Sequence, residues 1–347
     1  MDDLNSTANQ LFSRREAMRP TTRTWIKHIG LLLAAFFTVT LAGTLQPFGL
    51  IPIFNTQNVV EPQTWGEIGG FILNLPVDYF WLVVHAINEL FTNFETFKYG
   101  ISFSLSLIFI LLSHEMGHYI ACRIYRVDAT LPYFLPTPPL IGPAGTFGAF
   151  IKIVSPMPSR KAVFDIGVAG PIAGFIALLP IALIAFLTYE YDTTDFSAKT
   201  AGETIVFADS LFYKFLAWIF GINLEFAMKP NPFYFAAWVG LLVTALNLIP
   251  SGQLDGGHAI YAVFNSNFHK WIGRIAFVVM VILSISGWYF FNSPSGFLFA
   301  IILFFMMRVG HPAPLDDSPL DFKRKIIAVL TLLIFILCFM PFPIQIR

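Results

Sequence analysis

A short string of ionisable residues has the spacing that metal-dependent hydrolysis requires. His114, Glu115 and His118 form the pattern H-E-x-x-H at the end of an apolar run, residues 101–113. On an α-helix, residues four apart lie on one face, so both imidazoles can bind the same metal ion. Glu115 lies beside them, where a carboxylate can take a proton from a water molecule. We expect a zinc hydrolase centre here, and the alternative is a polar cluster between packed helices.

The composition indicates what kind of protein must hold these residues. The chain has 347 residues, of which 56% are hydrophobic and only 12% charged. Its mean hydropathy is +0.68. A soluble protein of this size could not bury so much apolar surface, so we expect an all-α polytopic membrane protein in a lipid bilayer. The net charge is zero and no basic tract follows the N-terminal segment, so nucleic-acid binding has no support.

Apolar runs predict six or seven transmembrane helices. They lie at about residues 29–49, 98–119, 165–188, 232–249, 271–291, 296–307 and 325–342. Another apolar stretch, residues 71–90, contains Pro76 and Asp78, and we expect it to be interfacial or re-entrant rather than spanning. Basic residues follow the H-E-x-x-H string, whereas acidic residues dominate residues 50–96 and 189–230. By the positive-inside rule, we expect the N-terminus and the metal site toward the cytoplasm.

This order of spans divides the chain into four predicted regions. They are a cytoplasmic tail (1–24), a first span with an extracytoplasmic or interfacial segment (25–96), a catalytic membrane core (97–262) and C-terminal transmembrane helices (263–347). The first span starts well inside the chain, so we expect an uncleaved helix and not a signal peptide. The tail is short and contains acids, which favours a bacterial inner membrane over a chloroplast membrane.

A proline- and glycine-rich segment follows the first motif. Residues 131–153 contain five prolines and three glycines, which exclude a regular helix. Such a backbone cannot face lipid, so we expect a re-entrant loop or a β-hairpin beside the metal. Residues 146–152 alternate like a short strand, and its edge could pair with an extended substrate segment. Thr146 and Gly148 on this strand are therefore candidate substrate-binding residues.

A catalytic zinc site needs a third protein ligand, with the fourth position left for water. The best candidate is Asp255, because the fourth span stops at Pro250, turns through Gly252 and presents this carboxylate before two glycines. The predicted topology brings Asp255 to the same depth as the two histidines. Its alternative role is to cap the helix that follows. His258 and His311 are rival ligands.

The two motifs together resemble the site-2 protease family of intramembrane zinc metalloproteases. The resemblance rests on HEMGH at 114–118 and on N-x-x-P-x-x-x-L-D-G-G at 247–257, and it extends over about residues 97–262. Within the family, the likeness is to the bacterial and plastid branch with extra spans. That branch has a similar G-x-F-G-A segment, here 145–149, and a glycine-rich turn, here 169–174.

The resemblance implies a role for each motif residue. His114, His118 and Asp255 would bind Zn²⁺, and Glu115 would be the general base. Asn247 matches a family asparagine near the site that can hydrogen-bond the substrate backbone. The implied fold has a three-helix catalytic core, and the implied substrate is a transmembrane helix of a membrane protein, cleaved in regulated intramembrane proteolysis.

The chain departs from the family pattern in two places. Gly174 stands near the position where the family often has an asparagine. Residues 189–230 are too short to hold the PDZ domain that many members carry. Substrate selection is therefore expected to depend on the spans and loops.

Three other functions remain open at the level of sequence. A catalytically inactive scaffold of the same fold would first lose Glu115 or a ligand, and all of them are present. A membrane metal transporter would need ionisable residues in several spans, whereas here they gather at one depth. A prenyl-protein protease also uses H-E-x-x-H, but its downstream glutamate motif has no counterpart on a later span.

Overall fold

The computed structural model describes residues 20–53, 64–192, 205–264, 266–309 and 313–346, and most of them are helical. In chain order the helices are α1 (Thr22–Thr44), α2 (Trp65–Thr92), α3 (Phe94–Ile124), α4 (Arg160–Leu187), α5 (Leu211–Phe220), α6 (Pro232–Asn247), α7 (Asp255–Val263), α8 (Ser266–Phe291), α9 (Ser295–Met306) and α10 (Phe322–Cys338). Five of them, α1 to α4 and α8, are long and apolar enough to cross a membrane. The predicted polytopic all-α fold is confirmed, and six or seven spans require some of the shorter helices as well.

The N-terminal tail lies mostly outside the described residues. The predicted tail was residues 1–24, and the description begins at Pro20. Helix α1 starts at Thr22, where the side chain of Thr21 accepts a hydrogen bond from the backbone N–H of Thr24. This N-cap fixes the helix start seven residues before the apolar run predicted from residue 29.

The apolar stretch at residues 71–90 is one continuous helix, so the expectation of a re-entrant element is wrong, and an interfacial position stays a prediction. Helix α2 has 28 residues and begins with a capping box in which Thr64 and Glu67 each accept the other's backbone N–H. Pro76 lies inside it. In an apolar environment a helix satisfies nearly all backbone groups, and the single N–H that proline lacks does not outweigh that advantage.

Helix α3 carries the H-E-x-x-H string and forms the centre of the fold. The side chain of Asn93 accepts two backbone N–H groups at its start, and Arg123 lies in its last turn, where a cation complements the helix dipole. A buried apolar core, which includes Phe103, Leu178 and Trp238, joins α3 to α4 and α6. These three helices are the elements that position the site.

A β-hairpin follows α3. Strand β1 (Tyr133–Pro136) pairs antiparallel with β2 (Thr146–Phe150), with Tyr133 opposite Phe150. The pairing slips between Phe134 and Pro136, where proline lacks the N–H that a regular ladder needs. The predicted hairpin is therefore confirmed.

The hairpin lies along α1. At its base His28 donates from Nδ1 to the carbonyl oxygen of Pro132 (2.9 Å), and near its tip Thr38 donates to that of Gly145 (2.8 Å). A Cβ on Gly145, whose φ is +79°, would lie 2.4 Å from the carbonyl oxygen of Thr38. Ten helical residues correspond to about 15 Å, so the hairpin follows a membrane-length helix over about half the thickness of a bilayer.

The glycine-rich segment 169–174 is helical, so its assignment as a turn is wrong. It lies in the middle of α4, which also contains Pro171 and Pro180. The glycines here serve close packing against α3 rather than a change of chain direction, as the site geometry shows.

The C-terminal part surrounds this core. Helices α8 and α9 form an antiparallel pair, and α10 packs against α4 and α6. Strand β3 (Ile205–Phe207) pairs antiparallel with β4 (Ile344–Ile346). Ser293, between α8 and α9, donates a hydrogen bond to the carbonyl oxygen of Ile344, which joins the end of the chain to this helical pair.

Candidate metal centre

Three side chains from two distant parts of the chain converge on one point. His114 Nε2 lies 3.2 Å from His118 Nε2 and 3.2 Å from Asp255 Oδ2, and His118 Nε2 lies 3.3 Å from Asp255 Oδ1. Both histidines are buried and Asp255 is nearly so. A tetrahedral metal ion with bonds of about 2.0–2.1 Å separates its ligand atoms by about 3.3 Å. The separation of the two imidazole nitrogens, and of each nitrogen from one carboxylate oxygen of Asp255, therefore suits one tetrahedral ion.

The hydrogen bonds around the histidines orient both rings. The Ile166 carbonyl oxygen can only accept, so His118 Nδ1, at 2.7 Å, must carry the hydrogen, and in the neutral ring its Nε2 is then the atom that can bind a metal. The amide nitrogen of Asn247 lies 3.3 Å from His114 Nε2. The donor set of two imidazoles and one carboxylate suits Zn²⁺.

Helix α4 holds the two histidines in this arrangement. The Ile166 carbonyl fixes the orientation of the His118 ring, a role that a backbone carbonyl often has beside a metal-binding histidine. A Cβ on Gly170 would lie 2.1 Å from His118 Nε2, and one on Gly174 would lie 3.1 Å from the Cβ of His114. Any larger side chain at residue 170 would occupy the place of the His118 ring.

These supporting residues were missed in the sequence. The sequence pattern predicts a turn at Gly170 and Gly174. The role of Ile166 could not be predicted from its residue type, because its backbone carbonyl makes the contact with His118. The spacing of two glycines four apart within a long apolar run could have indicated a close helix contact. It would not have indicated which histidine lies against each glycine.

Asp255 reaches the site from a tight turn. Gly252 has a φ of +56°, and a Cβ there would lie 2.2 Å from the Met306 carbonyl oxygen, so only glycine fits. Helix α7 begins at Asp255, and Leu254 occupies the N-cap position without a side-chain hydrogen bond. The alternative role of Asp255, capping the helix with its carboxylate, is therefore excluded.

Of the two rival ligands, the structure describes His258, and it does not join this group. Among the described residues, the group of metal-binding type consists of the two motif histidines and Asp255. His258 lies one turn further along α7, and its Cβ lies 2.7 Å from where a Cβ on Gly167 would be. His311 lies outside the described residues.

Glu115 is buried beside the ligands and has a fixed orientation. The residue is only 7% exposed. Its carboxylate accepts a hydrogen bond from the backbone N–H of Ile151. Ile151 immediately follows β2, so the hairpin strand and the predicted base are in direct contact. The arrangement can hold a water molecule between a cation and a carboxylate, which is what hydrolysis requires.

Two cavities meet at this centre. The first, called here the apolar cavity, has a volume of about 550 Å³ and is lined by His114 and Glu115 together with apolar residues of β2, α6 and α9. The second, called here the outer cleft, has a volume of about 640 Å³ and is lined by Lys152, Ser155 and Gln253 among others. A smaller cleft of about 220 Å³ contains the three ligand residues and shares lining residues with both.

The three predicted substrate-binding residues border the apolar cavity. Asn247, Thr146 and Gly148 all line it. Thr146 uses its hydroxyl within the hairpin, donating to the carbonyl oxygen of Leu135 (2.9 Å) and accepting the N–H of Gly148 (3.0 Å). Gly148 has a φ of +91° with open space around its Cα. Thr146 therefore shapes the strand and bonds the backbone of Gly148, whereas Gly148 leaves the space beside the strand open.

Comparison with known proteins identifies the family. A model of peptidase family M50 matches residues 102–286, which contain all three ligands and the glutamate. The chain belongs to peptidase family M50. This confirms the predicted resemblance to the site-2 proteases. The matched residues overlap the region 97–262, whose boundaries stay a prediction.

Several plant proteins are similar to this M50 chain. The probable zinc metalloprotease EGY2, chloroplastic, of Oryza sativa subsp. indica is 31% identical over 258 residues, which are 73% of this chain and 45% of the relative. The Arabidopsis thaliana protein of the same name is 28% identical over 303 residues, 82% of this chain and 51% of the relative. The probable zinc metalloprotease EGY1, chloroplastic, of Arabidopsis thaliana is 28% identical over 350 residues, which are 94% of this chain and 56% of the relative. The chain spans about half the length of these relatives.

Proposed function

We propose that this M50 chain is a zinc metalloprotease that hydrolyses a peptide bond in a transmembrane segment of another membrane protein. One observation carries the proposal: a centre of two histidines and an aspartate lies in a small cleft that shares lining residues with the large apolar cavity and with the outer cleft, which contains Lys152, Ser155 and Gln253. The apolar cavity suits a lipid-embedded substrate, and the outer cleft suits the entry of water. The names of the plant relatives, which are zinc metalloproteases, agree with this chemistry.

Each residue of the centre has a defined task in this proposal. His114, His118 and Asp255 hold the ion, and a bound zinc ion supplies Lewis-acid activation of water and of the scissile carbonyl. Glu115 takes a proton from the attacking water at its carboxylate and gives it to the amine that leaves. The N–H of Ile151 keeps that carboxylate turned toward the site.

The substrate must be extended before it can be cleaved, because the peptide bonds of a helix are shielded by their own hydrogen bonds. Strand β2 has one partner strand, β1, among the described residues. Residues of β2 also line the apolar cavity. An unwound substrate segment could add to this edge by strand pairing. Gly148 offers backbone there without a side chain in the way, and the amide of Asn247 lies close enough to the centre to hold a substrate carbonyl.

The protein is a multi-pass membrane protein, and its orientation is part of the proposal. Lys152 lines the outer cleft, and Arg123 lies in the last turn of α3 after the H-E-x-x-H string, which supports a site toward the cytoplasmic side. The bacterial inner membrane stays a prediction, since the relatives named above are chloroplastic proteins of plants. Regulated intramembrane proteolysis would be the setting of such an enzyme.

The proposal is tested by expressing the protein with tagged single-span membrane proteins and following a membrane-internal fragment by immunoblot. Glu115→Gln keeps the shape of the side chain and removes its ability to accept a proton. We expect it to lower the cleavage rate by about 10²- to 10⁴-fold, the usual contribution of a general base. Zinc content of the purified variant should stay at the wild-type level, because Glu115 is not a ligand.

Glu225→Gln is the matched control, since Glu225 is an exposed residue in the loop before α6. It should leave cleavage unchanged. Equal cleavage by wild type and Glu115→Gln would refute the assigned chemistry. Zinc binding without cleavage of any single-span protein would favour the inactive scaffold.

A further inference from the structure

The third ligand is carried by a helix that must be held from outside. Helix α7 has nine residues, and Asp255 is the first of them. A helix this short gains little stability of its own, so its position depends on its contacts. Whatever positions α7 therefore positions the carboxylate of Asp255 relative to the two histidines.

The N-terminal end of α7 is held by close backbone packing. A Cβ on Gly256 would lie 2.0 Å from the carbonyl oxygen of Leu248, and one on Gly257 would lie 2.4 Å from that of Gly252. These glycines press the first turn onto the preceding loop. Beyond the first turn, α7 packs against α4, with His258 beside Gly167 and with Tyr261 and Ala262 in the apolar cluster that contains Val163.

The C-terminal end of α7 is held by a buried arginine from α4. Arg160 is 8% exposed; its Nε donates to the carbonyl oxygen of Ala262 (2.6 Å) and its Nη2 donates to that of Phe264. The last carbonyl groups of a helix have no partners within the helix and carry the negative end of its dipole, so a cation there is favourable. Arg160 is thus a C-terminal cap supplied by another helix.

A loop before α10 covers this arginine. The backbone N–H groups of Leu315 and Asp316 donate to the carbonyl oxygens of Met157 and Pro158, and the N–H of Arg160 donates to the carbonyl oxygen of Asp316. The carboxylate of Asp317 is 3.8 Å from Arg160 Nη1, but its side chain is 69% exposed, so this pair is weak. The carbonyl groups of α7 are therefore the main partners of the guanidinium.

We propose that Arg160 is a positioning residue of the metal centre: it fixes the far end of α7 and thereby places the Asp255 carboxylate for metal binding. The inference rests on the proposed metal site. Helix α4 then has a double role, because its Ile166 carbonyl orients His118 while its first residue fixes the helix that carries the third ligand.

The first test compares zinc affinity in purified, detergent-solubilised protein by competition with a chelator. Arg160→Gln should weaken zinc binding by about 10-fold or more, the low end of the effect of removing groups that support metal ligands. Arg160→Lys keeps the charge and can reach one carbonyl, so it should recover part of that loss. The absorption spectrum of the cobalt(II)-substituted protein should change in Arg160→Gln, because the geometry of the ligands changes.

Two control variants separate the cap from charge alone. Lys161→Gln removes a positive charge from the adjacent residue, and Asp317→Asn removes the exposed ion pair. Both should keep wild-type zinc affinity and cobalt spectrum. If Asp317→Asn weakens zinc binding as much as Arg160→Gln does, the ion pair and not the helix cap is responsible, and the proposal is wrong.

A double-variant cycle decides whether Arg160 acts through Asp255. In the Asp255→Asn background, Arg160→Gln should change zinc affinity by less than about 2-fold, because the residue that it positions no longer binds metal. Additive losses would overturn the proposal, as would a lower melting temperature with unchanged zinc affinity. If Arg160→Gln does not fold, Arg160→Lys is compared in the same two backgrounds. Failure of the wild type to bind zinc would instead refute the metal site itself.

Discussion

The contact between α3 and α4, called here the seam, and the pair formed by α8 and α9 are built differently, although α3 and α9 line the same apolar cavity. In the most apolar stretch of α3, 56% of the residues are buried inside the protein, whereas for α8 the share is 17%. The seam has glycines against histidine rings, with no room for a methyl group at Gly170. The α8–α9 pair meets the core through a small apolar cluster that includes Ile249, Met280 and Phe299.

This difference suits two separate roles, in which the seam holds the metal centre and the α8–α9 pair admits the substrate. Ligand atoms must be held to within a few tenths of an ångström, so the helices of the seam are closely packed and leave no space for larger side chains. Helix α9 lines the apolar cavity and its partner α8 has few buried residues, so we expect this pair to move with few contacts broken. We therefore expect substitutions in the seam to abolish metal binding and those in α9 to alter substrate use alone.

The largest effect is expected from Gly170→Ala. In an ordinary helix this change stabilises by up to about 1 kcal/mol, but here the new Cβ would lie 2.1 Å from His118 Nε2. The ring must move, so we expect zinc affinity and cleavage both to fall by about 100-fold or more. Gly30→Ala in α1, where nothing lies within 4 Å of a Cβ, is the control and should leave both unchanged. Wild-type zinc binding in Gly170→Ala would show that the seam is not tightly packed.

A smaller and different effect is expected from Ile302→Trp in α9. Ile302 lines the apolar cavity, so a larger side chain there should raise KM for a transmembrane substrate by roughly 3- to 10-fold, equivalent to about 1 kcal/mol of lost binding. The kinetics of a purified single-span substrate measure this. Zinc content should not change. Ile301→Trp, on the neighbouring exposed residue, should have wild-type KM; equal effects of both variants would argue against this cavity as the substrate site.

The smallest effect is expected where α10 joins the core. Arg324 donates to both carboxylate oxygens of Asp165 (3.0 Å from Nε, 2.6 Å from Nη2) and to the hydroxyl of Tyr125. Arg324→Gln should lower the free energy of unfolding by about 1 kcal/mol, since the groups are only partly exposed, and change zinc affinity less than about 2-fold. Thermal unfolding in detergent measures it. Lys229→Gln, which removes a fully exposed pair with Glu190, should leave the melting temperature unchanged.

The prediction of the fold from sequence succeeded where one pattern decides one element. Apolar composition indicated a helical membrane protein, and the prolines of residues 131–153 indicated the hairpin. It failed at Pro76 and at residues 169–174, where helix-breaking residues suggested a break or a turn. In both places the environment decided the outcome: lipid favours an unbroken helix, and the partner helix α3 requires glycine for close approach.

The sequence by itself determined that His114 and His118 lie on one face of a helix, because the helical repeat fixes residues four apart without help from the rest of the chain. It also identified Asp255 as the best third ligand from its turn and its depth. Only the tertiary structure decided that each imidazole nitrogen lies 3.2–3.3 Å from an oxygen of Asp255, that Ile166 orients one histidine, and that Arg160 caps α7. These contacts join residues from 48 to more than 100 positions apart, and their distances depend on how whole helices pack.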